Sequence, residues 1–193
     1  MRTDDIHSLP DDLPVPVDDG ACRHLPGMAV PSMELISTSG SAVNLASMGT
    51  QRTIVYCYPR TGRPDQELPP GWNQIPGARG CTPESCGFRD LMKVFDSVGV
   101  RIFGLSTQTA DYQREMVARL QLPFDVLSDS EFAFTNALGL PTFEVQSTPP
   151  MTLLKRLTLV LSAGRIEKVF YPIFPPDAHA AEVLAWLSSN PRR

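Results

Sequence analysis

Apolar residues fall along the chain as short β-like runs and helix-spaced stripes in alternation. The first is "SMELISTSGSAVNL", with apolar segments either side of Ser39-Gly40-Ser41, the pattern of a hairpin. "TIVYCYP" (Thr53–Pro59) is a β-branched and aromatic run closed by proline, which predicts a buried strand. From Pro83 onward Phe88, Leu91, Met92, Phe95 and Val98 recur at three- and four-residue spacing, predicting a helix that Gly99 stops. "VRIFGLS" (Val100–Ser106) is a strand of the near-continuous apolar kind that a sheet covered on both faces produces. Asp111–Leu122 predicts a second amphipathic helix, "FDVLSD" a short strand, and "SEFAFTNALG" a short helix ending at Gly139. "RLTLVLSAGRIEKVFY" reads as two strands turning at Ala163-Gly164. The helix "DAHAAEVLAWLSS" follows, with Asp177 as its cap.

The order is strand-helix-strand-helix, a short strand-helix insertion, then strand-strand-helix. It predicts an α/β domain of thioredoxin-like fold, a central mixed β-sheet flanked by helices. Residues 1–25, acidic and proline-rich, read as an irregular N-terminal extension, and 26–193 as the domain. Within it, Thr61–Gly80 is proline-rich and aperiodic, a long inserted loop before the helix; loops of that length in a compact domain are usually functional or mobile.

At 193 residues the chain suits one domain with a real core. Its net charge of −4 gives no electrostatic reason to expect nucleic acid or an anionic membrane as partner. No apolar run approaches a membrane span, and the N-terminus lacks the apolar stretch of a secretory signal, so a cytoplasmic protein is expected. There, cysteines serve burial or transient redox chemistry more often than structural disulfides.

The chemistry concentrates in "RGCTPESCGFRD" (Arg79–Asp90). Cys81 and Cys86 could be metal ligands, ordinary core residues, or a reactive thiol and its partner. Zinc needs four ligands, usually two close pairs, and the remaining cysteines and histidines (Cys22, Cys57, His7, His24, His179) lack ligand spacing, so no metal is expected. Cys-x-x-Cys, the thioredoxin dithiol, is absent, which speaks against a general disulfide reductase. Pro83 suits a first helical turn and Glu84 the positive end of the helix dipole, so Cys81 falls at or just before a helix N-terminus, where an anion is favoured. Thr82 reads as the helix cap. At an ordinary thiol pKa of about 8.5 only roughly 3% of a cysteine is thiolate at neutral pH. Lowering it by about two pH units, around 2.7 kcal/mol, would make most of it thiolate. If both cysteines lie on one regular helix, their Cα atoms are roughly 8.6 Å apart. A disulfide tolerates no more than about 7 Å, so joining them requires the first turn to unwind. Cys57, mid-strand, reads as core and Cys22 as an incidental thiol in the arm, with a smaller part as an alternative partner.

"GCTPESCGFRD" closely resembles the active-site segment of peroxiredoxins of the bacterioferritin-comigratory-protein, or peroxiredoxin Q, type. "GMAVPSMEL" (Gly27–Leu35), "VYCYP", "RLTLVLSAGRIEKVF" and "HAAEVLAWL" are similar to further family segments and come in the family order. The resemblance implies a thiol peroxidase acting on hydrogen peroxide or alkyl hydroperoxides without a cofactor. Cys81 would be the peroxidatic residue, Cys86 the resolving one, and Arg156 the guanidinium that holds thiolate and peroxide. Arg79 and Arg89 are substitutes for Arg156, although Arg89 is expected on the helix surface beside a carboxylate. A thioredoxin or glutaredoxin would serve as reductant, and both monomer and homodimer are compatible.

One departure stands out. The family has a proline seven residues, and a threonine or serine three residues, before its peroxidatic cysteine. Here Ala78 holds the hydroxyl position and Pro59 lies 22 residues ahead of Cys81, which implies an insertion of about fifteen residues. Thr61, folded back, is the candidate for the missing hydroxyl, with Thr82 a second. Trp72 in the loop either covers the pocket, meets a partner or packs locally. The departure also motivates a rival reading, a redox-sensing module on the same scaffold with little turnover.

Overall fold

A computed structural model describes residues 8–147 and 149–191. The strands are β1 (Leu35–Ser37), β2 (Ala42–Val43), β3 (Thr53–Cys57), β4 (Arg101–Ser106), β5 (Val126–Ser128), β6 (Thr142–Val145), β7 (Met151–Leu154), β8 (Leu157–Ser162) and β9 (Arg165–Phe170). The helices are α1 (Cys81–Asp90), α2 (Met92–Ser97), α3 (Ala110–Leu120), α4 (Ala133–Leu138) and α5 (His179–Ser189). Among the described residues seven strands form one mixed sheet in the order β2-β1-β5-β4-β3-β8-β9, and β6 pairs with β7 apart from it. β3 runs parallel to β4 and antiparallel to β8, with Val55 opposite both Phe103 and Leu159. This is the mixed α/β sheet that the strand and helix order predicts.

Every residue of β3 is buried, so successive side chains feed two separate cores. Ile54 and Tyr56 point into the core beneath Phe88, Phe95, Met116 and Val183, which come from α1, α2, α3 and α5. Val55 and Cys57 point the other way, toward Leu105, Leu127, Phe134, Leu138 and Leu159, where Cys22 and Leu25 of the entering chain also pack. The end of β3 is therefore fixed from both faces where the chain departs toward the loop.

Several details depart from the sequence pattern. The stripe from Pro83 to Val98 is not one helix. It breaks at Leu91, where Val94 N–H donates to the Leu91 carbonyl at 2.9 Å and tightens the turn. α1 starts two residues earlier than Pro83, and its cap is Gly80 rather than Thr82, because Gly80 takes a φ of 106°. Asp177 lies in a 3-10 turn (Pro176–Ala178) that leads into α5, since the preceding prolines fix a tight entry, and it does not cap the helix. The β6–β7 hairpin has no counterpart in the sequence reading. α3 does start at a hydroxyl cap, with Tyr112 N–H donating to Thr109 Oγ1 at 3.3 Å.

Residues 1–7 of the acidic arm, His7 included, lie outside the described residues. From Ser8 the arm runs without helix or strand, yet it is docked: Lys155 Nζ meets Asp19 at 2.6 Å and Tyr171 Oη donates to Asp19 at 2.8 Å. No helix among the described residues is long and apolar enough to cross a membrane.

Gly80 is where the helix start meets the rest of the fold. A Cβ there would strike Pro176 and come within 3.0 Å of Leu9 Cδ2, on a backbone conformation that L side chains avoid. Gly80→Ala is expected to lose at least about 1–3 kcal/mol of unfolding free energy by urea titration of the reduced protein. A loss under a few tenths would mean that α1 does not depend on this conformation.

Candidate active site

The local sequence puts a sulfur at the first residue of a helix. With glycine as cap, no side chain satisfies the amides of the first turn, and Pro83 contributes none. The first bond of the helix runs from Glu84 N–H to the Gly80 carbonyl at 3.0 Å. The positive end of the helix dipole therefore faces the side chain of Cys81. Tyr56 holds the helix to the sheet: its ring stacks on Phe88 at 4.6 Å and its hydroxyl donates to Ser85 Oγ at 3.1 Å. Gly104 on the neighbouring strand makes room for it, since a Cβ there would lie 2.9 Å from the tyrosine hydroxyl.

Arg156, the residue before β8, projects beneath this helix start and is 3% exposed. Its Nη2 donates to Cys81 Sγ at 3.2 Å and to the carbonyls of Ala78 and Arg79 at 3.3 and 3.2 Å. Its Nε donates to the Gly77 carbonyl at 3.2 Å, and its Nη1 to Glu84 Oε2. Glu84 is wholly buried, so its part is that of a counter-ion inside the protein rather than a charge decorating the helix end. Its second oxygen, Oε1, has no hydrogen-bond partner among the described residues. Burial pushes the Glu84 carboxyl up, with the Arg156 charge opposing. Sequence reasoning missed this pairing.

Cys81 is buried, and its sulfur lies 3.7 Å from the Ala78 carbonyl. Cys86 shares α1, is half-buried, and both thiols are free. Burial pushes the Cys86 thiol up, with Arg89 opposing. Arg89 pairs with Asp90 on the surface and donates to the Leu120 carbonyl at 2.8 Å. The other cysteines are core thiols. Burial pushes Cys22 up to about 12 and Cys57 well above its ordinary value. Cys22 is thus packed away, not displayed on a loose arm.

Thr61 is buried but turned elsewhere. Its amide and hydroxyl both meet Gln108 Oε1, at 2.7 and 3.3 Å, and no hydrogen bond joins it to Cys81. The small cavity beside Cys81 is bordered instead by Thr82, Arg60, Arg79, Leu68 and Trp72. Trp72 is packed as well as placed over the site, 6.5 Å from Phe143 of the β6–β7 hairpin. Arg60 and Arg79 make the cavity wall cationic, which suits a developing oxyanion. Arg60 was legible only as the residue after Pro59.

Comparison with known proteins points the same way. The sequence signature of the family described as Redoxin matches residues 25–184. The chain is 29% identical over 164 residues to the chloroplast peroxiredoxin Q of Oryza sativa subsp. japonica, across 84% of this chain and 66% of that protein. It is 28% identical over 165 residues to peroxiredoxin Bcp of Escherichia coli K12, across 85% of this chain and 96% of that one. The crystal structure of peroxidoxin BcpB from Mycobacterium tuberculosis superposes with a TM-score of 0.70 at 25% identity, covering 88% of this chain and 100% of that chain.

The buried pair has a signature in pH. Because the native state raises the Glu84 pKa above its ordinary 4.5, native protein binds more protons than unfolded chain between 4.5 and the raised value. Stability attributable to this group is therefore complete below 4.5 and declines as pH climbs through the native value. Glu84→Gln, which cannot titrate, should flatten that part of the stability–pH profile in urea melts; an unchanged slope would assign the titration to another group.

Proposed function

The chain belongs to the Redoxin family, and on that footing we propose that it is a thiol-dependent peroxidase with Cys81 as its nucleophile. The observation that carries the reading is the Arg156 guanidinium 3.2 Å from Cys81 Sγ, at a helix start where unsatisfied amides also favour negative charge. The Cys81 thiolate attacks one oxygen of hydrogen peroxide or an alkyl hydroperoxide. The O–O bond breaks, that oxygen stays on sulfur as sulfenic acid, and the other leaves as water or alcohol after taking a proton. Arg156 and the cationic cavity wall stabilise charge on the departing oxygen.

Cys86 then condenses with the sulfenic acid, forming a disulfide and releasing water. On a regular helix the two Cα atoms are roughly 8.6 Å apart. A disulfide tolerates at most about 7 Å, so the first turn of α1 unwinds for this step. A dithiol of the thioredoxin or glutaredoxin class reduces the disulfide by exchange, in a cytoplasmic setting. Thr82, on the cavity wall, supports a role in orienting the peroxide that Thr61, engaged with Gln108, does not.

The enclosure of Cys81 favours one second reading, a redox sensor whose sulfur is oxidised once and recovers slowly. Stopped-flow peroxide consumption with a recycling thiol separates the two, since many turnovers per chain support the enzyme and a single one the sensor.

Cys81→Ser is expected to abolish peroxide consumption, whereas Cys86→Ser should retain one oxidation and accumulate a sulfenic acid that small thiols recycle. Intact mass of the wild type after one equivalent of peroxide should fall by two hydrogens, with Cys81 and Cys86 joined within the single tryptic peptide Gly80–Arg89. Undiminished turnover in Cys81→Ser removes the nucleophile assignment, and a Cys86→Ser protein indistinguishable from wild type removes the resolving one.

A further inference from the structure

The loop between Pro59 and Gly80 closes over the sulfur as a fitted wall. Its first residues are tied to the β4–α3 region: Thr61 is clamped by Gln108 through both backbone and side chain, Arg119 Nη2 donates to the Gly62 carbonyl at 3.4 Å, and Tyr112 Oη donates to Gln66 Oε1 at 3.2 Å. Arg63 also lies over the Tyr112 ring at 4.7 Å. Its middle is seated on the β6–β7 hairpin, where Trp72 and Ala78 share an apolar cluster with Val145 and Leu153. Its end is gripped by Arg156 through the carbonyls of Gly77, Ala78 and Arg79.

The space left beside Cys81 measures ≈ 20 Å³. A single water needs ~10–15 Å³ on the same measure, so the space against the sulfur is on the scale of a peroxide's two oxygens, and beyond it the cavity opens toward solvent between Arg60, Leu68 and Trp72. A larger hollow of ≈ 340 Å³ lies between Val15, Val17, Ile75 and Phe143, but Cys81 does not border it. The cavity wall is polar and cationic on the side of Arg60 and Arg79, with Leu68 and Trp72 as its only large apolar members among the described residues.

We propose that the 60–80 loop is a size filter that admits hydrogen peroxide to Cys81 and excludes bulky alkyl hydroperoxides, with Trp72 and Leu68 as the specificity-determining residues. The inference rests on the peroxidase reading for its substrate. Its physical basis is the packed wall: a tertiary or aromatic substituent carried in beside the sulfur meets Trp72, held on the hairpin, and Leu68. Two oxygens and their hydrogens fit where the wall stands. The width of the slot is therefore set by Trp72, seated on the hairpin, and by Leu68 packed beside it.

The test measures Cys81 oxidation by stopped flow with hydrogen peroxide and with cumene hydroperoxide, in wild type, Trp72→Ala and Leu68→Ala. The wild type is expected to prefer hydrogen peroxide by about 100-fold, and each variant to shrink that ratio by about tenfold. Comparable rate constants for the two peroxides in the wild type would overturn the filter. A measurement free of peroxide chemistry runs beside it, the alkylation of Cys81 by iodoacetamide and by fluorescein maleimide, read by peptide mass. The wild type should favour the small reagent, and opening the wall should narrow that preference by about tenfold. A narrowed preference in a chain that consumes no peroxide would uphold the wall and remove the peroxidase reading, whereas an unchanged preference in both variants overturns the filter itself. Leu68→Ala serves if Trp72→Ala fails to fold, because Leu68 is only partly buried.

Discussion

The Arg156 guanidinium enters the interior from the step between β7 and β8 and is met there by three loop carbonyls, the Cys81 sulfur and the Glu84 carboxylate. Removing such a charge from water costs several kcal/mol, recovered only if the partners are all in place. Those partners lie in one short stretch, Gly77 to Glu84, which spans the end of the long loop and the first turn of α1. The guanidinium thus makes the presence of one a condition for the others. The glycine cap, the docked loop and the buried acid are best understood as parts of one electrostatic arrangement, whose outermost member is the sulfur.

Much of this architecture was legible because β3 and β8 are buried along nearly their whole length, and β4 over its second half, and therefore read as apolar runs, and because α3 shows a clean helical stripe. The cysteine segment was legible for a chemical reason, a proline and an acid placed as a helix start requires. What stayed hidden depends on distance along the chain or on masking by composition. Glu84 and Arg156 are 72 residues apart, and nothing local distinguishes a buried counter-ion from an acid at a helix end. The β6–β7 hairpin is hidden by Pro149 and Pro150 between its strands. The arm reads as solvated from its acids and prolines, yet Asp19, one of those acids, is what ties it to Lys155 and Tyr171.

The hydroxyl that the sequence pattern lacks illustrates the limits of spacing arguments. Thr61 follows Pro59 closely and is buried, as a residue with a role in the interior would be, but Gln108 takes both its amide and its hydroxyl. Thr82, the second candidate, is free of the capping part that its position suggests, since Gly80 fills it with a positive φ, and it borders the cavity.

The packing around α1 has one more implication. Gly80 is pressed against Pro176 and Leu9, and Gly87 lies against the Asp177 carbonyl and Ala180, so the helix is clasped at both ends by the approach to α5. If the two sulfurs of this helix join as proposed, the first turn has to leave that clasp. A chain with that bond would then present a different outline from the one of the dithiol form. Discrimination between spent and ready molecules would then follow from shape alone, with no dedicated recognition element needed.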